Sequence, residues 1–153
     1  MSLETVVVAI GPTEESRIEQ LAETLLDVVE PCRATVVLYH AFSERALKRG
    51  AEEIGIDAEG TPDPEVVVGR LESVDAITDE LDALGVDNEV RSAVESPQEG
   101  IVRVAEQADA DMVFIGGRKR SSTGKAVFGS TAHSVLMNAP CPVTFVREDL
   151  DDG

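Results

Sequence analysis

The chain has 153 residues, a size that suits one domain, and 42% of them are hydrophobic, enough for a core and too many for a disordered chain. Thirty acidic residues against 13 basic ones give a formal charge of −17, a field that argues against nonspecific binding to nucleic acid or anionic lipid. No apolar run approaches the roughly 20 residues of a membrane span, and Met1-Ser2-Leu3-Glu4 does not read as a signal peptide. Cys32 and Cys141 form no CxxC pair, so the expected setting is a reducing cytoplasm.

Thr5-Val6-Val7-Val8-Ala9-Ile10 is a continuous β-branched run, the pattern of a strand buried on both faces, and Gly11-Pro12 ends it. A helical stripe follows at Ile18, Leu21, Ala22, Leu25, Val28 and Val29, with Thr13 as N-cap and Glu14 and Glu15 at the positive end of the helix dipole. A second strand is expected over residues 34–42. Residues 43–64 carry Gly50, Gly55, Gly60, Pro62 and Pro64, so this stretch reads as an irregular segment with at most a short helix at 44–53. It is a lid, an interaction segment or simply a mobile loop. Val67, Leu71, Val74, Ile77, Leu81 and Leu84 predict one long helix, stopped by Gly85.

Residues 89–94 alternate as a shorter third strand. Ser96-Pro97-Gln98-Glu99 then has the form of a helix start, with an N-cap serine and proline at the first helical position. That helix buries Ile101, Val104, Ala105 and Ala108. The fourth strand, Met112-Val113-Phe114-Ile115, leads into a turn at Gly116-Gly117. A last helix starts at Ser130, the fifth strand is Pro142-Val143-Thr144-Phe145-Val146, and an acidic tail closes the chain. Alternating strands and helices imply a doubly wound α/β fold with a five-stranded parallel sheet and helices on both faces. One domain over residues 1–148 is expected, with 149–153 as the tail.

The cations are not evenly placed. Residues 112–147 hold Arg118, Lys119, Arg120, Lys125 and Arg147 and no acid, so the rest of the chain holds all 30 acidic side chains. Basic residues among glycines point to a local anion site, although a core strand and helix that merely lack acids would look the same. The acidic bulk, with ten arginines and three lysines, suits molar salt, where the Debye length falls to about 3 Å, and predicts a halophilic source. The usual phosphate loops are absent. Lys119 and Ala126 break a P-loop around Gly124-Lys125, and no GxGxxG follows a strand. His40 and His133 have no metal-binding context and read as a strand-end histidine and a helix-surface residue, while Cys141 reads as buried and inert.

Gly116, then Gly129-Ser130 after twelve intervening residues, together with Glu14-Glu15-Ser16, Leu38-Tyr39-His40-Ala41 and Asn138-Ala139-Pro140-Cys141-Pro142-Val143, resembles the universal stress protein family over nearly the whole chain. The resemblance implies the strand order 3-2-1-4-5 of a Rossmann-like, adenine nucleotide hydrolase-like sheet. It also implies a homodimer formed through the fifth strand, and a site for ATP or AMP, with Mg²⁺ only alongside ATP. Ile10, Gly11, Pro12, Thr13 and Ala41 would border the adenosine, and Gly116, Gly117, Lys119, Gly129, Ser130 and Thr131 would hold the phosphates. Two departures bear on this. Lys119 stands where the family's second signature glycine is expected, and Gly11 stands where nucleotide-binding members carry an aspartate. A dimer that binds other proteins with an empty crevice, and a slow ATPase, are the alternatives.

Overall fold

The computed structural model describes residues 3–10, 15–56, 62–118 and 130–148. Its elements run β1 (Thr5–Ala9), α1 (Glu15–Cys32), β2 (Thr35–Phe42), α2 (Glu44–Glu53), α3 (Pro64–Val68), α4 (Glu72–Ala83), β3 (Asn88–Val94), α5 (Pro97–Gln107), β4 (Met112–Arg118), α6 (Ser130–Asn138) and β5 (Val143–Glu148). All strand pairs are parallel, as the alternating elements predicted, and their order β3-β2-β1-β4-β5 is the one the family resemblance implies.

β1 is the centre of the sheet. Side chains alternate across a strand, so Val6 and Val8 enter one core and Val7 the other, and all three are fully buried. Each such burial contributes about 1.5–3 kcal/mol, which is why the strand carries no polar side chain between Val6 and Val8. One core joins Val36, Leu38 and Phe114 to Leu25 and Val29 of α1 and to Val74, Ile77 and Leu81 of α4. The other joins Val37, Val113 and Ile115 to Ile101 and Val104 of α5 and to Ala132 and Val135 of α6. At the amino end of β1, the Asp111 carboxylate accepts hydrogen bonds from the backbone N–H groups of Glu4 (2.9 Å) and Thr5 (3.0 Å), and these hold its pKa below the usual aspartate range.

One expectation is corrected here. The single helix through Val67 and Leu84 is two helices, because the chain leaves helical geometry at Gly69–Leu71 and Leu71 becomes the N-cap residue of α4. A break of about one turn preserves the 3.6-residue phase, so Val67, Val74, Ile77 and Leu81 are all buried while Leu84 at the far end is exposed. In the segment 43–64, the short helix expected at 44–53 is observed as α2. Ser43 caps α2 by accepting from the Ala46 N–H (3.1 Å), and Asp63 caps α3 by accepting from the Glu65 N–H (3.0 Å). Leu47, Ala51, Val67 and Val68 extend the core over β2 and β3, which fixes this segment in place.

Four helices end alike. After α1, α2, α4 and α5, residues Arg33, Gly55, Gly85 and Asp109 take positive φ (53°, 80°, 70° and 54°). The next N–H bonds five residues back, as in Ala34 to Val29, Ile56 to Ala51, Val86 to Leu81 and Ala110 to Ala105. This is the Schellman closure, and each pair also supplies an apolar contact at the helix end. Only the two glycines announce it in the sequence; arginine and aspartate adopt the same geometry under the pull of these contacts.

A polar knot fastens α5 to the sheet. The fully buried Tyr39 donates its hydroxyl to the Glu95 carboxylate, which also pairs with the Arg103 guanidinium (Nε–Oε1 3.2 Å). Arg103 pulls the Glu95 pKa below its usual range, and burial together with Glu95 pushes the Tyr39 pKa upward. Gly100 is required beneath this knot, because a Cβ there would fall on the Tyr39 hydroxyl and within 2.8 Å of the Glu95 carboxylate. Ser96 occupies the N-cap position of α5 but makes no capping bond, and its hydroxyl is buried without a partner among the described residues. Gly100→Ala is expected to lower stability by about 1–3 kcal/mol. Combining it with Tyr39→Phe should recover part of that loss, as measured by a double-mutant cycle of denaturant unfolding.

Candidate functional site

In an open parallel sheet, ligands bind beyond the carboxyl ends of the strands, at the point where the strand order reverses. Here β1 lies between β2 and β4, and that end is where Ile10, Ala41 and Gly116 sit. The β1–β4 pairing stops at Ala9 and Ile115, whereas β4 continues beside β5 with Gly116 opposite Val146 and Gly117 opposite Arg147. The expected turn at Gly116-Gly117 is therefore strand, paired on one side and overhanging the end of β1 on the other. This overhang lies beside the end of β1, at the reversal of strand order.

Gly116 is exposed and does not take positive φ, and a Cβ there would meet nothing closer than the Val146 carbonyl oxygen at 3.8 Å. Among the described residues, neither backbone conformation nor packing requires glycine at this position. What glycine adds is open backbone against which something outside the strand can come close. Ile10 is buried and continues the β1–β2 ladder, its N–H donating to the Tyr39 carbonyl (2.8 Å), and Ala41 is half-buried two residues further along β2. α6 connects parallel strands, so its first residues lie at the same carboxyl end; Ser130 there is exposed and Thr131 half-buried. Gly11, Pro12, Thr13, Lys119 and Gly129 lie outside the described residues, as do Arg120 and Lys125.

The buried groups near this end include one that the sequence marked only as a satisfied histidine. His40 is buried, its Nδ1 donates to the Ile10 carbonyl (2.5 Å), and its ring meets Phe42 edge-on, with centroids 4.4 Å apart. Burial lowers its pKa from the ordinary 6.5, against the opposing effect of the Ile10 bond, so the ring is neutral at pH 7. His133 is exposed on α6. Cys141 is half-buried, and burial, then Asp111, push its thiol pKa up, away from the reactive thiolate. Among the described residues no group of His, Cys, Asp and Glu could hold a metal ion, and no helix is long and apolar enough to cross a membrane.

The model of the universal stress protein family matches residues 2–147. The chain belongs to that family. A universal stress protein of Thermus aquaticus, encoded beside a sulfhydrylase gene, is 34% identical over 85 residues, which cover 54% of this chain and 62% of that relative's length. A solved universal stress protein from Archaeoglobus fulgidus is 26% identical with a TM-score of 0.70, covering 94% of this chain and 98% of that one. A further structure from Archaeoglobus fulgidus, in complex with dAMP, shares the fold at 20% identity and a TM-score of 0.64, covering 95% and 99% of the two chains.

The neutral state of His40 has a consequence for acid stability. Below pH 6.5 the unfolded chain takes up a proton that the folded chain resists, so the folded state loses relative stability as pH falls. Between pH 7.5 and 5.5 at constant molar salt, the thermal midpoint of the wild type is expected to fall further than that of His40→Asn, which has no group titrating at that position.

Proposed function

We propose that this universal stress protein is a cytoplasmic stress-response dimer of a salt-rich cell that binds an adenine nucleotide, ATP or AMP, in the crevice between the ends of β1 and β4. Ile10, Gly11, Pro12, Thr13 and Ala41 border the adenosine in this reading. Gly116, Gly117, Lys119, Gly129, Ser130 and Thr131 hold the phosphates, with Mg²⁺ accompanying ATP alone. The observation that carries the proposal is Gly116: an exposed strand glycine that neither φ nor packing among the described residues demands, on the overhang of β4 at the reversal of strand order. The exposed Ser130 at the start of α6 supports it, because a helix start offers unpaired N–H groups and a hydroxyl to an anion. The dAMP complex of the Archaeoglobus fulgidus relative supports the choice of ligand class. Lys119 then serves as a phosphate contact in place of the missing glycine, and the cations of 118–125 supply attraction within an otherwise acidic chain.

Titration calorimetry with ATP and with AMP in molar KCl tests this reading. One nucleotide is expected per chain, and Gly116→Leu is expected to abolish binding with little change in thermal midpoint, since a Cβ there meets no described atom closer than 3.8 Å. A wild type that ignores both nucleotides at millimolar concentration overturns the proposal and leaves the protein-binding alternative.

The dimer reading rests on β5, the end strand of the sheet among the described residues. The Val113 N–H donates to the Pro142 carbonyl (2.9 Å), so the next residue, Val143, turns its backbone groups the other way, toward a partner strand. Light scattering is expected to give twice the chain mass for the wild type and the single-chain mass for Val143→Pro, which removes the outward N–H without touching the β4 ladder.

A further inference from the structure

Among the described residues, two polar side chains, His40 and Ser92, are buried in the core, and they are register partners on β2 and β3. They form part of one line of hydrogen bonds across three strands. The Ser92 hydroxyl donates to the His40 carbonyl (2.7 Å), His40 Nδ1 donates to the Ile10 carbonyl (2.5 Å), and the Ile10 N–H donates to the Tyr39 carbonyl (2.8 Å). Burying an imidazole costs free energy that an aliphatic side chain packed on Phe42 would not. What the imidazole adds is a donor aimed at a single carbonyl, that of the last described residue before 11–14. Ile10 is held from both sides of its peptide backbone, its N–H by the β2 ladder and its C=O by the imidazole, while Ser92 fixes the backbone that carries the imidazole.

Resting on the nucleotide reading above, we propose that His40 is a positioning residue for the adenosine side of the site, fixing the Ile10 carbonyl at the end of β1. The substrate class is unchanged, an adenine nucleotide; the added claim is that its affinity depends on a buried donor one strand away from the end of β1.

Three variants separate positioning from mere packing. His40→Leu removes the donor and keeps an apolar core, His40→Asn keeps an amide N–H near the place of Nδ1, and Ser92→Ala frees the backbone behind it. AMP affinity is measured by calorimetry in molar KCl, together with the thermal midpoint and amide exchange of peptides spanning residues 10–14. His40→Leu is expected to lose about tenfold in AMP affinity, the worth of one hydrogen bond, with an unchanged or higher thermal midpoint and faster exchange at 10–14. His40→Asn is expected to restore most of the affinity, and Ser92→Ala to show a smaller loss in the same direction. Wild-type affinity and exchange in His40→Leu would overturn the proposal, as would affinity that follows thermal stability in every variant without rescue by asparagine. If the wild type binds neither AMP nor ATP, the nucleotide reading itself fails. Exchange at 10–14 then decides the positioning claim alone, with faster exchange in His40→Leu upholding it and unchanged exchange ending it.

Discussion

The structure depends on β1 being buried on both faces and paired on both edges. A strand in that position has no solvent-facing side, so its side chains from Val6 to Val8 must be apolar, and its backbone groups are met by β2 and β4. Helices cover both faces because each face of the sheet is apolar, and right-handed crossovers place α1 and α4 on one side and α5 and α6 on the other. The reversal of strand order around β1 follows from this arrangement.

A difference in strand length shapes the carboxyl end of the sheet. β1 ends at Ala9, while β4 continues past it to Arg118 with β5 as its remaining partner. Backbone at a strand end ordinarily turns away or is capped. Here the overhang begins with two glycines, which leave peptide surface open where side chains would otherwise stand.

Polar groups are few in this core, and their placement is informative. His40 and Ser92 spend buried hydrogen bonds on strand ends near the candidate site, whereas Tyr39, Glu95 and Arg103 tie α5 to the sheet. Asp111 does the corresponding work at the opposite end, closing the start of β1 against β4. Apart from the Glu95–Arg103 pair, eight positions apart, each of these contacts joins residues far apart in sequence, from 30 positions for His40 and Ile10 to 107 for Asp111 and Glu4.

Strand and helix periodicity, the apolar run of β1, the glycine stops after α2 and α4 and the spacing of Gly116 with Gly129-Ser130 were all legible in the sequence, because each is a local consequence of side-chain chemistry. Fold class and strand order were legible too, the first from alternating elements and the second from family resemblance. Tertiary structure decided the rest. It split the helix at Gly69–Leu71, since periodicity cannot register a break that keeps its phase. It drew the glycine-rich segment into the core and turned Gly116 from a turn residue into an overhanging strand, because strand ends are set by neighbouring strands. It also gave His40 its partner, because a hydrogen bond to a backbone carbonyl leaves no trace in the identity of the residue that accepts it.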